Sequence, residues 1–174
     1  MVMWRKGLEG LAEPYRTVVA RLLDGLRARF GDDLVSLVVF GSVARGEAGP
    51  GSDIDVLIII RGLPKGRFKR LMAFYEVEEE LDPLLDQLQE GRGGRPIISP
   101  ILKTPEEAGR IVPLYLDMVE DAVIIHDEGG FFEAVLRKLK RRLDELGARR
   151  VRLGKMWYWV LKPDAEFGEV IEIG

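Results

Sequence analysis

Tyr15, Val18, Val19, Leu22, Leu23, Leu26 and Phe30 recur at spacings of three and four, which predicts an amphipathic helix over about 13–30. Gly31-Asp32-Asp33 ends it. The next apolar segments read differently. LVSLVVF (34–40) and DIDVLIII (53–60) are short, Val/Ile-rich and bounded by turn residues, the pattern of buried strands. RFKRLMAFYEVEEELDPLLDQLQE (67–90) predicts helix, bent or broken near Asp82-Pro83. RPIISPIL (95–102) predicts a third strand, with Pro100 pointing to an edge or bulge.

Thr104-Pro105-Glu106-Glu107 has the form of a helix start: Thr at the cap, Pro at the first helical position, Glu three residues after the cap. A helix over about 114–121 is expected to lead into a fourth strand, AVIIH (122–126). Phe132, Leu136, Leu139, Leu143 and Leu146 mark one face of a helix over 131–146. RVRL and KMWYWVLK predict two strands, joined as a hairpin through Gly154. The fold class expected is α/β or α+β, a mixed sheet of four to six strands with flanking helices. A core over 1–130 carries a C-terminal helix-plus-strand extension over 131–174 within the same domain.

Composition narrows the class. With 174 residues, 47% hydrophobic and 32% charged, the chain is long enough for a real core and is not of disordered composition. No apolar run approaches the roughly 20 residues of a membrane span, and the first residues lack a signal-peptide pattern, so a cytoplasmic location is expected. The absence of cysteine excludes a disulfide framework, a thiolate metal site and a thiol nucleophile. The net charge of −3 is unevenly spread: residues 137–155 hold nine Lys/Arg against Asp144 and Glu145. That basic stretch reads either as a solvated helix face or as a patch for the phosphates of a nucleotide or RNA.

Candidate chemistry concentrates in VVFGSVARGEAGPGSDIDVLIII (38–60). Gly46 and Gly51 have P-loop spacing, but no Lys follows and no helix begins there. The glycines do not fit a dinucleotide fingerprint. An EF-hand fails because Ile58 and Pro64 stand where Gly and Glu are required. What remains is a Gly-Ser turn after one strand and two acids on the next. Gly41 lets a phosphate approach the backbone, and Ser42 adds a hydroxyl beside unpaired backbone N–H groups. Asp53 and Asp55 point to the same side, about 6.6 Å apart along the strand. Two carboxylates on one face repel unless a cation sits between them, and oxygen ligands near a phosphate select Mg²⁺ or Mn²⁺. The plainer reading, that Ser-Asp-Ile-Asp only solubilises a strand start, leaves the Gly-Ser turn and its ten-residue spacing to Asp53 unexplained.

GSVARG followed by GSDIDVLI resembles the Gly-Ser, ten residues, Asp-x-Asp signature of the DNA polymerase beta-like nucleotidyltransferase superfamily, and the short chain is most similar to its minimal nucleotidyltransferase branch. The resemblance implies transfer of a nucleoside monophosphate from an NTP to a hydroxyl of a protein, RNA or small molecule. Gly41 and Ser42 would hold the triphosphate, and Asp53 and Asp55 would bind Mg²⁺ or Mn²⁺. Arg45 and Gly46 match the motif's usual extension, Arg45 as either a helix-surface residue or a phosphate contact. Active members carry a third acid on a later strand. PIISPIL has none, and Ser99 stands in that place. Weak or absent autonomous transfer is therefore expected. The alternative is a nucleotide-binding regulatory or antitoxin-like module that partners a HEPN-type helical protein. A homo-oligomer is compatible with either.

Three other features invite functional readings. His126, the only histidine, is expected to be a strand-end residue. Trp157, Tyr158 and Trp159 would either pack or stack a base. Phe74 and Tyr75 are expected on the core face of their helix.

Overall fold

The computed structural model describes residues 4–92 and 94–174; for Arg92 only the backbone is described. Seven strands and six α-helices follow in the order β1 (Arg5–Lys6), α1 (Tyr15–Phe30), β2 (Leu34–Phe40), α2 (Gly41–Arg45), β3 (Ile54–Ile60), α3 (Arg67–Glu79), α4 (Asp82–Arg92), β4 (Ile98–Lys103), α5 (Pro105–Ala108), β5 (Val123–Asp127), α6 (Phe131–Glu145), β6 (Arg149–Leu153) and β7 (Met156–Val160). Five strands form one mixed sheet in the order β1-β5-β2-β3-β4, and β6 and β7 form a separate antiparallel pair.

Both faces of this sheet are covered, which is why β2 and β3 are apolar apart from Ser36 and Asp55. On one face, Leu37 and Val39 of β2 and Val56, Ile58 and Ile60 of β3 pack with Val19, Leu22 and Leu26 of α1 and Phe74 and Val77 of α3. On the other, Val35, Val38 and Phe40 join Leu57 and Ile59 against Tyr115, Phe132, Leu136 and Leu139. Each run thus feeds two cores by the period-two alternation of a strand. The result holds the C-terminal end of β2 and the N-terminal end of β3 rigidly side by side.

Two expectations need correction, and one strand was not expected. Residues 114–121 form no α-helix: a 3₁₀ turn spans Pro113–Asp117, followed by irregular backbone. Tyr115, Met118 and Val119 are buried, and the three-residue spacing of Tyr115 and Met118 satisfies a 3₁₀ turn as well as an α-helix. Phe74 is buried as expected, but Tyr75 is 44% exposed because its neighbour takes the core position. Strand β1 had no counterpart in the periodicity. It is two residues long and forms by pairing with Val123 and Ile124. The break expected near Asp82-Pro83 falls at Glu80-Leu81, with Asp82 and Pro83 opening α4, and the capping box at Thr104 and Glu107 is present.

One buried polar cluster ties β5 to α6. The Ser36 hydroxyl, fully buried, donates to Asp127 Oδ1 at 2.6 Å. The same carboxylate accepts from the backbone N–H groups of Phe132 and Glu133 at 2.9 Å each, satisfying two donors at the start of α6. Asp127→Ala removes a helix cap and strands the Ser36 hydroxyl, so a loss of about 2–4 kcal/mol is expected. Urea denaturation checks it, and an unchanged midpoint would show that the cluster contributes nothing.

Candidate active site

Helix α2 begins directly at the end of β2. Gly41 has φ of +70°, a left-handed conformation that suits glycine. A Cβ built there would lie 3.3 Å from Asp55 Cγ and closer still to Oδ2. The turn is therefore packed against the carboxylate of the neighbouring strand. Its far end is closed by Gly46 in the left-handed region, with the Glu47 N–H donating to Ser42 O at 2.9 Å. Arg5 braces α2 by donating to Ala44 O. The loop onward to β3 is pinned where Gly49 N–H donates to Ser52 Oγ at 2.9 Å.

Asp55 is the residue on β3 that pairs with Phe40 of β2 on one side and with Ser99 of β4 on the other. It is half-buried. Burial pushes its carboxyl above the usual range, the charge of Asp53 pushes the same way, Arg45 opposes, and Asp117 adds a further upward push. Asp53 itself is exposed. Ser99 occupies the position beside Asp55 where a third acid was sought, and it carries none.

An open cleft of about 610 Å³ gathers Gly41, Ser42, Arg45, Asp55, Asp117 and Lys155, with Arg150 and Trp157 at its wall. Of the residues singled out from the sequence, the structure brings the Gly-Ser turn, Arg45 and Asp55 to this cleft but leaves Asp53 off its lining, and it adds Asp117 and the hairpin residues, which the sequence reading missed. Asp117 ends the 3₁₀ turn that Tyr115 anchors: the Tyr115 hydroxyl donates to Ala108 O at 2.9 Å, and its ring meets Phe132 edge-on at 5.1 Å. With Tyr115 and Met118 buried on either side, Asp117 faces solvent in the cleft. The signal available in the sequence was a single acid between buried positions, which no motif marks.

Arg45 donates from Nε to Glu47 at 2.9 Å, and Glu47 also faces Arg152 at 3.8 Å. About half of the basic stretch is paired in place: besides Arg152, Arg137 meets Glu133, Lys140 meets Asp144, Arg142 meets Glu145, and Arg150 meets Glu120 and Asp121. His126 pairs with Leu37, away from the Gly41 end of β2. Among the described residues no three His, Cys, Asp or Glu side chains cluster tightly enough to enclose a metal ion, and no helix is long and apolar enough to cross a membrane.

The chain belongs to the nucleotidyltransferase domain family, whose model matches residues 19–142. It is 33% identical over 125 residues to the "Putative protein adenylyltransferase MJ1305" of Methanocaldococcus jannaschii, covering 71% of this chain and 79% of that protein. Over 60 residues it is 43% identical to the protein adenylyltransferase MntA of Thermococcus cleftensis, covering 34% of this chain and 54% of that one. Similar solved structures include a toxin–antitoxin complex with AMP-PNP (TM-score 0.44, 16% identity, 74% of this chain and 91% of the other). A second is a tri-AMPylated Shewanella oneidensis HEPN toxin in complex with MNT antitoxin (TM-score 0.44, 12% identity, 76% and 92%).

Proposed function

We propose that this chain is a divalent-metal-dependent nucleotidyltransferase that moves AMP from ATP onto a hydroxyl of a protein, acting in the cytoplasm, with residues 131–174 working in the same unit as the core. The observation that carries this reading is the packing of the Gly41–Ser42 turn against Asp55 in a cleft that also presents Asp117. The names of the relatives supply the choice of AMP and of a protein acceptor.

The donor set suits Mg²⁺ or Mn²⁺. Asp53 and Asp55 offer hard oxygen ligands, and burial first, then the charge of Asp53, holds the Asp55 carboxyl above its usual range. A bound Mg²⁺ supplies Lewis-acid polarisation of the reacting phosphate. The chain's own residues do the rest. Ser42 and the backbone N–H groups beside Gly41 hold the triphosphate. Asp53 and Asp55 fix the cation beside it. As the acceptor oxygen bonds to the α-phosphorus and the bond to pyrophosphate breaks, the hydroxyl proton passes to Asp117, the exposed carboxylate across the cleft.

A second reading rests on Ser99, which sits beside Asp55 without a carboxylate. There the chain binds nucleotide, transfers it weakly, and serves as the antitoxin-like partner of a HEPN-type protein. Transfer of radiolabelled AMP to a protein acceptor separates the two. If Asp117 takes the proton, Asp117→Asn lowers transfer about 10²-fold while ATP affinity holds. A wild type that is inactive until Ser99→Asp restores the acid would favour the second reading.

A further inference from the structure

Beyond residue 142, where the family match ends, the hairpin β6–β7 reaches back to the cleft. Its strands are in register from Arg149 opposite Val160 to Leu153 opposite Met156, which leaves Gly154 and Lys155 as the turn. Polar contacts from both strands fasten it around the Asp117 turn and the end of α2. Trp159 Nε1 donates to Leu116 O at 3.2 Å, one residue before Asp117. Arg150 meets Asp121 at 2.5 Å as an ion pair without hydrogen-bond alignment, and Arg152 faces Glu47 at 3.8 Å. The Arg150 guanidinium lies over the Trp157 ring at 4.2 Å, and that of Arg152 at 5.1 Å, which stiffens the hairpin near its tip.

The charges of the cleft are unequal. Of the three cations that line it, Arg45 is committed to Glu47, and Arg150 to Glu120 and Asp121. Lys155 has no carboxylate or hydrogen-bond partner among the described residues, and it is exposed at the hairpin tip. It shares the cleft with Ser42, Asp55 and Asp117. A nucleoside triphosphate that brings one Mg²⁺ to Asp53 and Asp55 keeps net negative charge, and a free ammonium on the same cleft is the group placed to meet it.

We infer that the β6–β7 hairpin is a nucleotide-binding element of this chain, with Lys155 closing on the triphosphate held at Gly41–Ser42. The inference rests on the nucleotidyltransferase reading and assigns the triphosphate a ligand outside the region the family match covers. Lys155 is exposed on a turn and bonded to nothing among the described residues, so removing its charge leaves the fold intact.

The test is calorimetric titration of ATP with Mg²⁺ into wild type and four variants: Lys155→Ala, Lys155→Arg, Gly41→Val, and Lys138→Ala, which removes the same charge from α6 outside the cleft. Lys155→Ala is expected to weaken ATP binding about tenfold, with Lys155→Arg within about threefold of wild type and Lys138→Ala nearly unchanged. Wild-type affinity in Lys155→Ala, with binding lost in Gly41→Val, would overturn the hairpin's role and leave the nucleotide site standing. An equal loss in Lys138→Ala would overturn it too, by reducing the effect to overall charge. No ATP binding by the wild type would remove the reading beneath it.

Discussion

Asp55→Asn is expected to lower nucleotide transfer by about 10³-fold or more and, in metal-free protein, to raise the melting temperature slightly. Asn keeps the size of the side chain and its place in the ladder between Phe40 and Ser99, so the change is one of charge. Losing it removes the half-buried ligand for the cation, and several kcal/mol of transition-state stabilisation go with the metal. The stability effect has the opposite sign. Burial and Asp53 hold the Asp55 carboxyl above its unfolded value. Above both values the folded state carries a charge that it disfavours, and that penalty fades only as pH falls through the raised value. Asn carries no such charge at any pH. The two measurements are labelled-AMP transfer at saturating Mg²⁺ and thermal unfolding in chelator. Transfer that survives Asp55→Asn would remove the metal seat from the proposal. A lower melting temperature would show that Asp55 is stabilising without metal, against the electrostatics described.

The parts of the fold that were readable are those in which a local pattern and the tertiary environment agree. Residues 34–40 and 53–60 are apolar on both faces because both faces are covered, and α1 and α6 carry a single apolar stripe because each packs on one side. Where the environment supplies the structure, the pattern was silent or pointed to the wrong element. Arg5 and Lys6 have nothing of a strand in their composition and become one against Val123 and Ile124. The segment from Pro113 to Asp117 buries Tyr115 through its hydroxyl bond to Ala108 O and its contact with Phe132, neither of which a periodicity reports.

The site divides in the same way. Gly41, Ser42, Asp53 and Asp55 lie on two adjacent strand ends joined by one loop, so their spacing in sequence reflects their spacing in space. Asp117 and Lys155 reach the cleft from a 3₁₀ turn and a hairpin tip far along the chain. The family resemblance pointed to Ser99 as the residue standing where a third acid is expected, and the parallel register of β3 and β4 pairs it with Asp55. The resemblance identified the place that lacks an acid, but not the element that brings another acid to the cleft.

Gly41→Val is expected to abolish ATP binding and transfer together, and to cost stability as well. At φ of +70° a β-branched residue is strained by about 1–2 kcal/mol before any contact is counted. Its Cβ would then run into the Asp55 carboxylate, 3.3 Å from Cγ and nearer to Oδ2. Neither backbone has room to yield: Phe40, one residue before, pairs directly with Asp55, and both strands are buried on two faces. The side chain of Asp55 must rotate instead, which dismantles the cation seat, while the new methyls fill the approach to the backbone N–H groups. Strain and overpacking together lower stability by about 2–4 kcal/mol. Gly41→Ala isolates the first clash, because it adds the Cβ alone with less backbone strain than Val. It should lose most of the transfer while remaining folded by circular dichroism. Wild-type ATP affinity in folded Gly41→Val, measured by calorimetry with Mg²⁺, would show that the nucleotide does not approach over this turn.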